Sequence, residues 1–142
     1  MPINRLIYAT IDASYSDVYP EKAVRFFKRV HSKARIAKRS KKGEILVLER
    51  DGIILATGAA IGHEIVGVFV NPNDQGHGFG KAIMGKLEKR IRANGYSEVV
   101  LDISLPSRKF YEALGYEIFK DCSIDVGDGQ HLAFWQARKA LF

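Results

Sequence analysis

An apolar stretch, Val68-Phe69-Val70, runs through a polar turn into three glycines within five residues, Gly76, Gly78 and Gly80, and a helix-forming run starts at Lys81. A chain with this feature must join a strand end to a helix start across a loop of bare backbone. Glycine lets other atoms approach the backbone N–H groups closely. The helix start adds unpaired N–H donors and the positive end of the helix dipole. Together these predict an anion site, most often one for phosphate.

Two common phosphate loops do not fit. The dinucleotide fingerprint G-x-G-x-x-G requires a third glycine where Lys81 stands. The P-loop G-x-x-x-x-G-K-[ST] requires glycine at Gln75 and a hydroxyl at Ala82. The frame that fits is Gln-x-x-Gly-x-Gly, read as Gln75, Gly78 and Gly80.

The surrounding pattern places this loop in a mixed sheet. Residues 4–12, with Leu6-Ile7-Tyr8-Ala9, read as a first strand. Pro20-Glu21 opens a helical stretch with Ala23, Phe26, Phe27, Val30, Ala34 and Ala37 on one face, as one helix or as two with a break near His31-Ser32. Strands follow at 44–49, 53–61 and 64–70, joined by the turns Asp51-Gly52 and Gly62-His63. The helix after the loop carries Phe79, Ile83, Leu87 and Ile91 on one face. Gly85 inside it predicts close packing on a sheet. A strand at 98–103, a short helix from Pro106 to Leu114 and a hairpin of 116–126 with 130–139 complete the chain.

The order is β-α(α)-β-β-β-α-β-α-β-β. Short turns make the three consecutive strands antiparallel, and the helical crossover after Val70 demands a parallel pair. The prediction is one α/β domain over residues 1–142, with a mixed sheet of six to seven strands and helices on both faces.

Downstream, Ser104-Leu-Pro-Ser-Arg-Lys-Phe110-Tyr111-Glu-Ala-Leu114-Gly115-Tyr116 supplies a second motif. The two motifs and the strand order resemble the GNAT superfamily, the acetyl-CoA-dependent N-acetyltransferases, over essentially the whole chain. The resemblance implies a loop of Gln75, Gly76, His77, Gly78, Phe79, Gly80 and Lys81 around the coenzyme pyrophosphate. It implies a strand, ending Val68-Phe69-Val70, that splays from its parallel neighbour and pairs with the pantetheine arm. A backbone N–H near Phe69 or Val70 would then meet the thioester oxygen. Ser104 stands where many members carry Asn, and Ser107 where they often carry Ala. Both are expected on the coenzyme side, with a shorter reach than Asn.

The implied chemistry needs a proton donor and a base. Tyr111 is the candidate acid for the leaving thiolate, because a phenol with a pKa of about 10 is protonated at neutral pH. Helix packing is the other role open to it, and Phe110 fits that role better. Glu64, eleven residues before Gln75, is the candidate base by the offset seen in histone-type members. A solvent-facing turn carboxylate is its alternative, with His63 in reserve. Strand alternation puts Glu64, Val66, Val68 and Val70 on one face. His131 and Trp135 are candidates for the acceptor side, although core packing suits Trp135 better.

Charge bears on the acceptor. The net charge is +6, yet residues 22–42 hold ten Lys/Arg and no Asp/Glu, and the remainder holds 12 Lys/Arg against 16 Asp/Glu. This stretch is either a solvated helical face or a docking surface for an anionic acceptor or partner. It lacks the interleaved aromatics of a nucleic-acid groove, so nucleic acid is not the expected partner. The acceptor is expected to be a small-molecule or protein amine. A non-catalytic acyl-CoA sensor is the competing reading, and the resemblance admits a homodimer. Four scattered histidines and the single Cys122 give no metal-binding spacing, so no metal is expected. With no apolar run long enough to span a bilayer and no leader-like N-terminus, the expected location is cytoplasmic.

Overall fold

The computed structural model describes residues 2–142. Three helices lead: α1 (Pro2–Ser14), α2 (Glu21–Val30) and α3 (Lys33–Lys42). A meander follows, β1 (Glu44–Arg50), β2 (Ile53–Ile61) and β3 (Glu64–Val70). A 3-10 turn at Pro72–Asp74 leads into α4 (Phe79–Ala93), then β4 (Glu98–Ser104). A second 3-10 turn, Leu105–Ser107, precedes α5 (Arg108–Ala113), and β5 (Glu117–Gly127) pairs with β6 (Gln130–Ala140). The strand order is β1-β2-β3-β4-β6-β5, antiparallel except at the β3–β4 pair. The sheet therefore has six strands, within the predicted range.

The predicted first strand is a helix. Its apolar run lies inside α1, whose buried residues Asn4, Leu6, Ile7, Thr10 and Ile11 recur three and four apart. Contiguous apolar residues with Ile and Thr among them favour a strand locally. Pro2 at the helix start and the burial stripe decide for a helix packed across β2 and β3. The break at His31-Ser32 is real: Ser32 caps α3 by accepting the Arg35 N–H at 3.3 Å.

The sheet separates two cores. On one side α4 and α5 pack Ile83, Met84, Leu87, Ile91 and Tyr111 against Ala56, Ile65, Val99 and Leu101. On the other, α1, α2 and α3 enclose Ile7, Ile11, Tyr15, Tyr19 and Ile36 with Phe69 and Leu132. Glu88 on α4 accepts from Tyr116 at 2.7 Å and from Lys139 at 3.0 Å, tying that helix to β6. Among the described residues, no helix is long and apolar enough to cross a membrane.

Gly85 does not pack closely on the sheet. A Cβ built there meets open space, so glycine at this position only weakens α4. The helix tolerates it because burying Leu87 or Ile91 contributes about 1.5–3 kcal/mol each, against a glycine cost of about 1 kcal/mol. Gly85→Ala is expected to stabilise the protein by about 0.5–1 kcal/mol, raising Tm by roughly 2–4 °C. Thermal unfolding followed by circular dichroism checks this.

β3 carries a bulge that the sequence pattern did not show. Thr57 pairs with Phe69 and Ala59 with Val66, so the register slips between them. The extra residue is Gly67, at φ +64°, a left-handed conformation that glycine adopts without strain. The slip breaks the expected single face. Ile65, Val68 and Val70 pack toward α4, and Phe69 packs toward the first helices. Glu64 and Val66 therefore do not share a face with Val68 and Val70.

Candidate active site

The glycine loop folds as a strand-to-helix junction. Gly76 and Gly78 have φ of +82° and +80°, and a Cβ added at either meets open space. Gly78 is the N-cap of α4. The first N–H past it to find a backbone acceptor is that of Ala82, which donates to the Gly78 carbonyl at 3.0 Å. The donors of the first turn are left to the solvent side, as a helix start requires. Gly80 serves a different purpose. A Cβ there would lie 3.1 Å from the Phe110 ring and 3.3 Å from Val70, so its small size seats α5 against β3.

β3 and β4 touch at only one end. A single register pair, Glu64 with Val100, joins them, whereas β4 meets β6 along its whole length. Beyond that pair the strands diverge, as expected, and the opening holds two cavities. A loop-side cavity of about 560 Å³ is lined by Val68, Phe69, Val70, Gln75, Gly76, Gly78, Phe79, Gly80 and Lys81, with Ser107, Phe110 and Tyr111 opposite. A helix-side cavity of about 400 Å³ lies under α2 and α3 and reaches β4 and the last hairpin. Both volumes are those of small-molecule sites.

The cavities meet at shared residues: Tyr15, Val68, Phe69, Ser107 and Tyr111 line both. Tyr15 follows α1 and packs edge-on against Phe27. Its hydroxyl is 2.8 Å from the Ser104 hydroxyl, which is 2.8 Å from that of Ser107. Tyr19 behind it takes the Leu105 N–H and donates to the Ala133 carbonyl, both at 2.8 Å. Tyr111 is buried against Phe110 and Tyr116. Burial pushes its phenol well above the ordinary value, the nearby Tyr15 adds to the rise, and no hydrogen bond offsets it. The group therefore stays protonated throughout the neutral and mildly alkaline range.

The helix-side cavity is charged at both ends. Arg35, Lys38, Arg39 and Lys42 of α3 line one wall, and Asp102 of β4 lines another. Arg39 reaches over the bulge. It donates to the Val30 carbonyl at 3.2 Å and meets His31 Nδ1 at 3.1 Å. An arginine can only donate, so Nδ1 is the unprotonated nitrogen. Burial first, then Arg39, lowers the His31 pKa to about 3, which keeps the ring neutral. Burial raises the Asp102 carboxyl, and Gln136, opposite it on β6, pulls it partly back. Glu64 is also raised, by burial and then by Asp102, while His63 and Arg39 work against the rise.

Most of the residues named from sequence converge. Val68, Phe69, Val70, Gln75, Gly76, Gly78, Phe79, Gly80 and Lys81 line one cavity, Ser104 lines the other, and Ser107 and Tyr111 line both. His77 lines neither and packs at 5.9 Å from Phe79. Glu64 also lines neither, standing at the exposed start of β3. His131 is exposed and outside both cavities. Trp135 packs against the α4-side core, with the Arg108 guanidinium 4.8 Å from its ring. The last hairpin does reach the helix-side cavity, through Ile124, Leu132 and Phe134. Sequence reasoning missed Tyr15 and Asp102. Asp102 was visible as the one charged residue inside Val99-Val100-Leu101-Asp102-Ile103.

Comparison with known proteins agrees with this geometry. A family model described as an acetyltransferase (GNAT) domain matches residues 15–125. A glucosamine 6-phosphate N-acetyltransferase from Trypanosoma brucei brucei is 44% identical over 59 residues, which are 42% of this chain and 40% of that protein. A GCN5-related N-acetyltransferase from Rhodopseudomonas palustris superposes with a TM-score of 0.87 at 21% identity, over 97% of this chain and 87% of that one. The PaiA N-acetyltransferase of Thermoplasma acidophilum, solved in complex with coenzyme A, gives a TM-score of 0.77 at 17% identity, over 98% and 91%.

Proposed function

Because the chain belongs to the GNAT acetyltransferases, we propose that it moves the acetyl group of acetyl-CoA directly onto a primary amine within a ternary complex. The observation that carries this reading is the meeting of two cavities at Tyr111, one running to the unpaired N–H donors of α4 and the other to a charged wall. Acetyl-CoA brings the activated acyl group. The residues present fit it: Gly76 and Gly78 open the backbone at the helix start, where a pyrophosphate gains most from the N–H groups and the dipole. Gln75, His77, Phe79, Gly80 and Lys81 complete this loop, and Val68, Phe69 and Val70 present strand backbone along the cavity. The Val70 carbonyl already accepts from Thr10 at 3.1 Å and from Gln75 at 3.3 Å. Val68 and Phe69 are therefore the better-placed partners for the pantetheine arm. Ser107 lies on this side directly, and Ser104 acts through it.

The amine nitrogen attacks the thioester carbon, the C–S bond breaks, Tyr111 donates its proton to the departing sulfur, and the proton shed by the acylated nitrogen restores the phenol. A backbone N–H near Phe69 or Val70 stabilises the oxygen charge that develops meanwhile. The ammonium must first lose a proton. Asp102 takes it, because it lines the helix-side cavity and Glu64 does not. Glu64, whose carboxyl is raised by burial and then by the like charge of Asp102, receives the proton onward.

Both carboxyls are shifted upward, so each binds its proton at higher pH than a free carboxyl. The kcat/KM profile is therefore expected to rise through a limb displaced above the ordinary carboxylate range. Asp102→Asn is expected to lower kcat/KM by roughly 10²–10⁴ and to abolish that limb. An unchanged limb in Asp102→Asn would remove that residue from the mechanism. The Trypanosoma relative's name makes glucosamine 6-phosphate the first acceptor to assay.

A further inference from the structure

The basic segment is not one uniform solvated face. Arg35, Lys38, Arg39 and Lys42 fall at i, i+3, i+4 and i+7 of α3, which is a single helix stripe. That stripe lines the helix-side cavity, whereas Lys33 and Lys41 of the same helix do not. Among the described residues, ion pairs engage Lys22, Arg25, Lys28, Arg90, Arg108 and Lys139 and none of these four. Four cations thus border a half-open cavity with no carboxylate at salt-bridge distance, Arg35, Lys38 and Lys42 from its exposed rim and Arg39 from deeper in. Neutral His31 adds no charge to them. Arg39, fixed by Val30 and His31, sets the inner end of the stripe. The carboxylate on the opposite wall, Asp102, belongs to β4.

A cavity with cations on one wall and a carboxylate on another selects a ligand that is itself dipolar. We infer that the α3 stripe is an anion subsite, and that the acceptor is a small primary amine carrying a phosphate or carboxylate group. This rests on the acetyl-transfer reading for the word acceptor, but the subsite itself does not. The amine end sits toward Asp102 and Tyr111, and the anionic end toward Arg35, Lys38 and Lys42. Polyamines carry the wrong charge for the α3 wall. A volume of about 400 Å³ holds such a molecule whole.

The test uses matched amines and protein saturated with coenzyme A, so that the glycine loop cannot serve as the anion site. Calorimetry compares glucosamine with glucosamine 6-phosphate, and tyramine with tyrosine. The anionic member of at least one pair is expected to bind about 10–100-fold more tightly, the range of one or two charge-assisted hydrogen bonds. The pair that shows the preference identifies phosphate or carboxylate as the group read. The preference should collapse in Arg35→Glu/Lys38→Glu/Lys42→Glu and survive in Lys41→Glu, a charge reversal on the same helix outside the cavity. Equal binding within both pairs, or a preference that survives the triple reversal, overturns the subsite. Thiol release measured in parallel separates the two ideas. Selective binding without turnover of any amine contradicts acetyl transfer and leaves the subsite standing, and turnover without charge preference does the reverse.

Discussion

Tyr111→Phe is expected to lower kcat by roughly 10²–10⁴ while coenzyme binding and stability hardly change. The ring is what packs against Phe110 and Tyr116, and phenylalanine keeps it. Among the described residues the hydroxyl has no hydrogen-bond partner, so its loss orphans none of them. The upward-shifted phenol is also protonated across the assay range, so the loss should be the same from neutral to mildly alkaline pH. Stopped turnover with intact coenzyme affinity and Tm assigns the hydroxyl to the chemical step. An unchanged kcat assigns Tyr111 to packing alone, and leaves Ser107 and Tyr15 as the other hydroxyl residues lining both cavities.

Gly78→Asp is expected to weaken coenzyme binding by about 100-fold, or about 3 kcal/mol, through like charge against the pyrophosphate and loss of the close backbone approach. The position suits the test. Its φ of +80° is left-handed, and nothing within 4 Å would clash with a new Cβ. Asp and Asn tolerate that conformation better than other side chains. Gly78→Asn therefore reproduces the backbone cost and bulk without the charge, and it should weaken binding severalfold less. If the two variants bind alike, steric closure outweighs charge at the loop. If neither weakens binding, the pyrophosphate lies elsewhere.

The strand–glycine–helix junction is legible in sequence because its requirements are local. Positive φ, bare N–H groups and a helix start all fall within Gln75–Lys81. The Phe110-Tyr111 helix is legible for the same reason. What escaped depends on contacts between distant residues. α1 became a helix because Leu6, Ile7 and Ile11 bury against the sheet, and a short apolar run does not reveal that alone. The Gly67 bulge depends on pairing with Thr57 and Ala59, and it moved Glu64 away from the face of Val68. Gly85 suggested packing, yet its position points outward. Tyr15 reached the junction only because α1 is a helix, so missing the helix meant missing the tyrosine. The basic stripe was visible as composition. Its division into cavity-facing and outward cations needed the packing of α3 against β1 and β2.

Acetyl-CoA-dependent thiol release in the presence of a primary-amine panel, led by glucosamine 6-phosphate, tests acetyl transfer most directly. The expected result is saturable release that depends on the amine, with the N-acetylated product identified by mass spectrometry and lost in Tyr111→Phe. Tight acetyl-CoA binding with no amine-stimulated release across small amines, peptides and protein N-termini would contradict it and leave a domain that senses the coenzyme.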